Sequence, residues 1–155
     1  ELPDVQEAHL ASATCTLLIG RDRLTQAKKH PNAVMRLSLP DTDDGNYLRV
    51  TCQRQLADIA ILEGRLVDAE ALLRDTARTP TLTSSLRELD RQGQIAFAWV
   101  SLLKAQNDAE GVEKTLEELE ETVKAVTDDD KRIGDTPLVA HLEERIGAVR
   151  DAASD

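Results

Sequence analysis

"ILEGRLVDAEALLRDTA" (Ile61–Ala77) decides how this chain is read. Apolar residues run up to Leu62, stop at Gly64, and resume with Leu66, Ala69, Leu72, Leu73 and Ala77. Spacings of three and four line one face of a helix. A glycine just past the last apolar residue marks a helix C-terminus, because it takes positive φ without a side-chain clash. So short a connection leaves the flanking helices antiparallel. The stretch is the bend and second arm of a helical hairpin.

Working upstream, the first arm starts near Tyr47 and turns Leu48, Cys52, Leu56, Ile59 and Leu62 inward. "LPDTDDGN" (Leu39–Asn46) before it is a turn-rich connection. Pro3 suits the first turn of an opening helix with Val5, Ala8, Ser12, Cys15 and Ile19 on one face, ended by Gly20. A second helix from Asp22 carries Leu24 and Ala27 until Pro31 disrupts it, and Val34 to Leu39 resumes it for two turns.

Downstream, "RTPTLTSS" (Arg78–Ser85) is a loop, and Ser85 with Glu88 reads as a capping box. The fifth helix runs to Gln106 through Leu89, Ala96, Val100 and Leu103. The sixth has a seam of Val112, Leu116, Leu119, Val123 and Val126, with Glu110–Lys114 and Glu120–Lys124 as expected outer pairs. After the polar break "TDDDKRIGD" (Thr127–Asp135), Thr136 caps a last helix with Pro137 in its first turn and Leu138, Leu142, Ile146 and Val149 inward. The expectation is all-α: about seven helices in a single domain over 1–155, with hairpins at about 3–39, 47–79 and 85–127 and a terminal helix at 137–153.

Composition agrees. Aromatics are only 2 % (Tyr47, Phe97, Trp99), while the helix formers Ala, Leu, Glu and Arg dominate, which argues against a β sandwich or barrel. The formal net charge of −10 makes phosphate backbones and anionic membrane surfaces poor partners, and an electrostatically steered partner should be basic. No apolar run approaches the length of a membrane span. Cys15 and Cys52 lack metal spacing and read as buried reduced thiols, with one disulfide as the alternative. The first residue is Glu1, so the chain reads as a segment of a longer protein, and neither compartment nor oligomeric state is legible.

The hairpins also repeat. Ala27, Ala69 and Val112 each stand five positions after a turn residue (Asp22, Gly64, Asn107), at intervals of 42 and 43 residues. "LADIAILEGRLVDAEALLRDTA" (Leu56–Ala77) resembles a tetratricopeptide repeat. Leu56-Ala57 matches the family's Leu-small pair, Gly64 its turn glycine, Ala69 its small second-helix residue, Leu73 the bulky residue four later, and Pro80 its closing proline. Ala60 departs from the aromatic expected three residues after the pair. The flanking repeats depart further, with Trp99-Val100 and Thr14-Cys15 at the pair and Val112 at the small position. The period exceeds the usual 34, as it does in longer variants such as those of kinesin light chain. The resemblance covers roughly Leu48 to Thr127.

It implies a short solenoid of stacked hairpins whose first helices line a groove for a peptide or helix of a protein partner. Candidate groove residues are Gln53, Arg54 and Asp58 on the third helix and Arg91, Gln94 and Gln106 on the fifth, each otherwise an ordinary solvated position. Chaperone-binding members grip a carboxylate with a Lys-Asn pair, where this chain has Arg54 and Asp58, and an aspartate there repels a carboxylate. Phe97 and Trp99 lie two apart and cannot share one core stripe, so one should be partly exposed, and Trp99 joins the candidate partner-binding residues. The alternative is a helical-bundle sensory domain binding a small molecule.

The sequence carries no catalytic or metal-binding motif. His9, His30 and His141 are dispersed. His9 in "EAHLASATC" (Glu7–Cys15) invites comparison with histidine phosphotransfer domains, but Ser12 and Ala13 replace that family's Lys-Gly pair. "DTDDGN" from Asp41 puts Gly45 and Cys52 where a calcium loop needs a ligand and a bidentate glutamate. The basic stretch "RDRLTQAKKH" (Arg21–His30) reads as a solvated face. No catalytic residue, metal ligand or cofactor is expected.

Overall fold

The structure, a computed structural model, describes residues 5–21, 23–36 and 38–155, with side chains described from residue 12 onward. The expectations for Pro3 and Asp22 and for the side chains of Val5, Ala8 and His9 lie outside the described residues. All regular structure among the described residues is helical: α1 (Val5–Gly20), α2 (Leu24–Ala27), α3 (Lys29–Met35), α4 (Asp43–Leu62), α5 (Leu66–Thr76), α6 (Ser85–Ala105), α7 (Ala109–Asp129), α8 (Lys131–Gly134) and α9 (Pro137–Ala153). The chain divides into two compact units, Glu1–Ser84 and Ser85–Asp155.

In the first unit α1 folds back on α2 and α3, and α4 on α5, while α4 also lies against α1 and α3. Cys15, Ala27 and Ile59 form one fully buried cluster, and Val34, Leu48 and Cys52 another. Small Ala57, Ala60 and Ala69 have no exposed surface, which lets the helix backbones approach closely. In the second unit α6 pairs with α7, and α9 completes the core through Val139, Leu142 and Ile146 against Leu89, Phe97, Val100 and the α7 seam. The guanidinium of Arg145 lies 3.9 Å from the Phe97 ring centre.

One turn geometry recurs. At Gly64 the backbone goes left-handed (φ 75°), the Arg65 amide donates to the Ala60 carbonyl at 2.8 Å, and the Gly64 amide to Ile61 at 3.0 Å. Those paired bonds satisfy carbonyls that a helix end otherwise leaves open. At Asn107 (φ 57°) the same pair recurs, Asp108 to Leu103 at 2.9 Å and Asn107 to Lys104 at 3.0 Å. At the first turn the Arg23 amide donates to Leu18 at 2.9 Å. The residues that follow, Arg23, Arg65 and Asp108, share one conformation, with φ/ψ of −99°/57°, −87°/67° and −98°/80°. Each accepts at its carbonyl from the buried residue four later: Ala27, Ala69 and Val112.

Several boundaries differ from expectation. The "DTDDGN" segment is largely helical: α4 starts at Asp43 because the Thr42 hydroxyl accepts from the Gly45 amide at 3.2 Å, and Asp43 and Asp44 suit the positive end of the helix dipole. Pro31 does not end a helix. It stands in the first turn of α3, where its missing N–H has no intrahelical acceptor, and the break falls at Lys28. α3 stops at Met35, so Leu39 lies beyond it. The "TDDDKRIGD" break holds α8, whose Ile133 plugs the second unit's core. α6 starts at Ser85 itself. Leu62 is 58 % exposed, not inward.

Candidate functional site

Gln53, Arg54 and Asp58 belong to the middle of α4, in the first unit. Arg54 Nη1 donates to Asp58 Oδ2 at 2.7 Å, one turn apart on a half-buried face. The Arg54 charge is thus met within its own helix. Gln53 points roughly 100° around the axis from Arg54 and is 7 % exposed, so it is not the solvated position that its polarity suggests. Gln53 Oε1 and Arg54 Nε have no hydrogen-bond partner among the described residues.

Arg91, Gln94, Trp99 and Gln106 belong to the second unit, the first three within α6 and Gln106 just past its end. Arg91 is buried, and its guanidinium grips the equally buried Glu88 carboxylate through Nε at 2.8 Å and Nη2 at 2.5 Å. Gln94 donates to Asp90 at 3.1 Å. Trp99 is half-buried while Phe97 is only 5 % exposed, so the two aromatics part as their spacing requires. Trp99 and Gln106, seven apart, share a face; Arg91 and Gln94 share another.

Two polar anchors depart from the sequence reading, which placed Glu88 in a capping box and assigned Gln55 no role. Glu88 holds Arg91 and also accepts from Gln92 at 3.1 Å. Gln55, with no exposed surface, donates its amide to the Ser12 carbonyl at 2.8 Å, the Ser12 hydroxyl at 3.1 Å and the Thr16 hydroxyl at 3.0 Å. A signal for it existed: Gln55 falls three after Cys52 and four before Ile59, a polar residue inside the apolar stripe. The expected Glu110–Lys114 and Glu120–Lys124 pairs do not form among the described residues. Glu120 meets Arg150 of α9 instead, and Arg150 also donates to Glu113 at 2.6 and 2.9 Å.

Cys15 and Cys52 are free, buried thiols. Burial, the larger cause, pushes Cys15 up to about 11, and burial with the neighbouring Cys15 pushes Cys52 up to about 12. Both stay protonated at neutral pH and are poor nucleophiles. Among the described residues, no three His, Cys, Asp or Glu gather as metal ligands, and no helix is long and apolar enough to cross a membrane. No family model, curated protein or solved structure matches this chain.

Proposed function

We propose that this chain is a tetratricopeptide-like array of helical hairpins that binds a peptide or helix of a protein partner through the first helices of its hairpins. The recurring turn carries the reading: Arg23, Arg65 and Asp108, spaced 42 and 43 residues apart, share one backbone conformation and donate to the carbonyl five residues back, and each is followed four later by a buried Ala or Val. Nearly equal periods with a shared turn-exit conformation favour a repeat over an arbitrary set of helices. Within the first unit α4 lies against both arms of the preceding hairpin, as stacking requires. Ala60 departs from the family pattern, and its complete burial suits closer helix contact. The role is non-enzymatic, and the partner is expected to be basic because the chain carries a net charge of −10.

Affinity capture with the wild-type chain, followed by mass spectrometry, tests this. Arg54→Ala on α4 and Trp99→Ala and Gln106→Ala on or beside α6 should each release the captured protein while leaving helical circular dichroism unchanged. Capture that survives all three substitutions would remove these helices from the binding surface.

A further inference from the structure

In the first unit, α1 carries an exposed face without charge. Ala13, Leu17 and Gly20, spaced four and three apart, point one way from the helix, and all three are exposed, Leu17 to 64 %. From Ala8 to Gly20 the sequence holds no Asp, Glu, Lys or Arg, in a chain that is 31 % charged. A surface helix ordinarily keeps charged residues on its outer side, and α1 lacks them there.

The equivalent positions of α4 already form an interface. On the repeat reading above, on which this step rests, Ala13 and Leu17 stand 42 residues before Gln55 and Ile59. Those two have no exposed surface: Gln55 is clamped to Ser12 and Thr16 of α1, and Ile59 packs with Cys15 and Ala27. Ala98 and Leu102 of α6, 43 residues further on, are buried as well. So α1 presents a stacking face in apolar form and leaves it open, whereas the end of an array normally closes with a polar surface.

We propose that a second copy of this chain covers that face, α1 against α1 about a two-fold axis. Leu17 is a knob with small Ala13 and Gly20 about a turn to either side, so the face is complementary to itself: each Leu17 enters a gap on the other helix. Charge selects the same occupant. Two copies of net charge −10 repel over most of their surfaces, and an uncharged face lets them meet without opposing like charges. A basic partner gains nothing from it. Sixteen residues of helix run only about 24 Å, so the contact is small and its dissociation constant is expected on the order of 10 µM. This surface stands apart from the α4 and α6 positions proposed above, and either can fail without the other.

Sedimentation equilibrium of the whole chain from about 1 to about 300 µM tests this. The wild type should pass from the mass of one chain to that of two. It should also dimerise more tightly at about 0.5 M than at about 0.05 M salt, because screening relieves the repulsion between copies. Leu17→Glu should raise the dissociation constant by roughly tenfold or more, with helical circular dichroism unchanged because the position is exposed in a single copy. Ala13→Glu, on the same stripe, should do the same. Val67→Glu puts the same charge on an apolar residue of α5 that is 81 % exposed, and should change it less than about twofold. A wild type that stays monomeric, a dimer that survives Leu17→Glu, equal weakening by Val67→Glu, weakening by salt, or a species heavier than two chains would each overturn the α1 interface. None of these results touches partner capture through Arg54 and Trp99, and failure of that capture leaves the dimer standing.

Discussion

The carboxamide of Gln55 in α4 is fully buried and donates to the backbone carbonyl of Ser12 in α1 at 2.8 Å, across 43 residues of chain. It is a buried polar clamp between the first two hairpins, which the Lys28–Glu63 ion pair at 2.7 Å also joins. Gln55→Ala removes these bonds and leaves a cavity, so unfolding in urea should show a loss of about 2–3 kcal/mol. Gln55→Leu keeps the volume and should cost less, near 1 kcal/mol. Equal losses from the two would mean that volume alone matters there.

Gly64 at φ 75° and Asn107 at φ 57° should respond oppositely to substitution. Gly64→Ala puts a side chain in left-handed backbone and should cost about 1 kcal/mol. Asn107→Gly relieves that constraint and should gain a few tenths of a kcal/mol. Thermal denaturation of the two variants reads the signs directly.

Gly45 is required for space, not for conformation. A Cβ there would overlap the Pro40 backbone carbonyl, which cannot swing aside as a side-chain tip could. Gly45→Ala should therefore destabilise by about 1–2 kcal/mol despite alanine's better helix propensity. A stabilised variant would show that the 38–42 segment yields easily.

Arg91 and Glu88 are an ion pair whose side chains are each 10 % exposed. Arg91→Ala leaves the carboxylate desolvated without its cation and should cost about 3 kcal/mol. Arg91→Lys, unable to make both contacts, should fall between. A loss below about 1 kcal/mol, typical of an exposed pair, would contradict the burial.

The two thiols give stability a basic-side pH dependence. Unfolded, they ionise near the ordinary value of 9.0; folded, burial delays this to about 11 for Cys15 and about 12 for Cys52. The native state therefore holds more protons between those limits, and stability falls as pH rises from about 9. Urea midpoints from pH 8 to 11 should decline more steeply for the wild type than for Cys15→Ala/Cys52→Ala. Parallel declines would assign the slope to other groups.

Turns and small buried residues were the legible part of this chain. Gly64 and Ala69 announce a hairpin because backbone conformation and close approach each restrict residue type locally. The Val112 to Val126 seam is legible for the same reason, since an amphipathic stripe is periodic. Exposure of polar residues was not legible. Nothing local separates buried Gln53 and Arg91 from solvated Gln106; tertiary packing alone decides. Likewise Glu120 has a suitable lysine one turn away, yet it pairs with Arg150 from another helix. Boundaries failed where capping overrode composition: Thr42 converts a turn-like Asp-Asp-Gly-Asn run into a helix start.

Arg23 and Arg65 have nearly interchangeable backbone torsions, which makes the first unit divisible. Excising residues 23–64 would splice one bend onto its equivalent, so that α1 runs straight into α5 through a junction the chain already uses. On the proposed repeat reading, such a polypeptide would shorten or lengthen by whole periods without inventing a new corner, its length a matter of copy number.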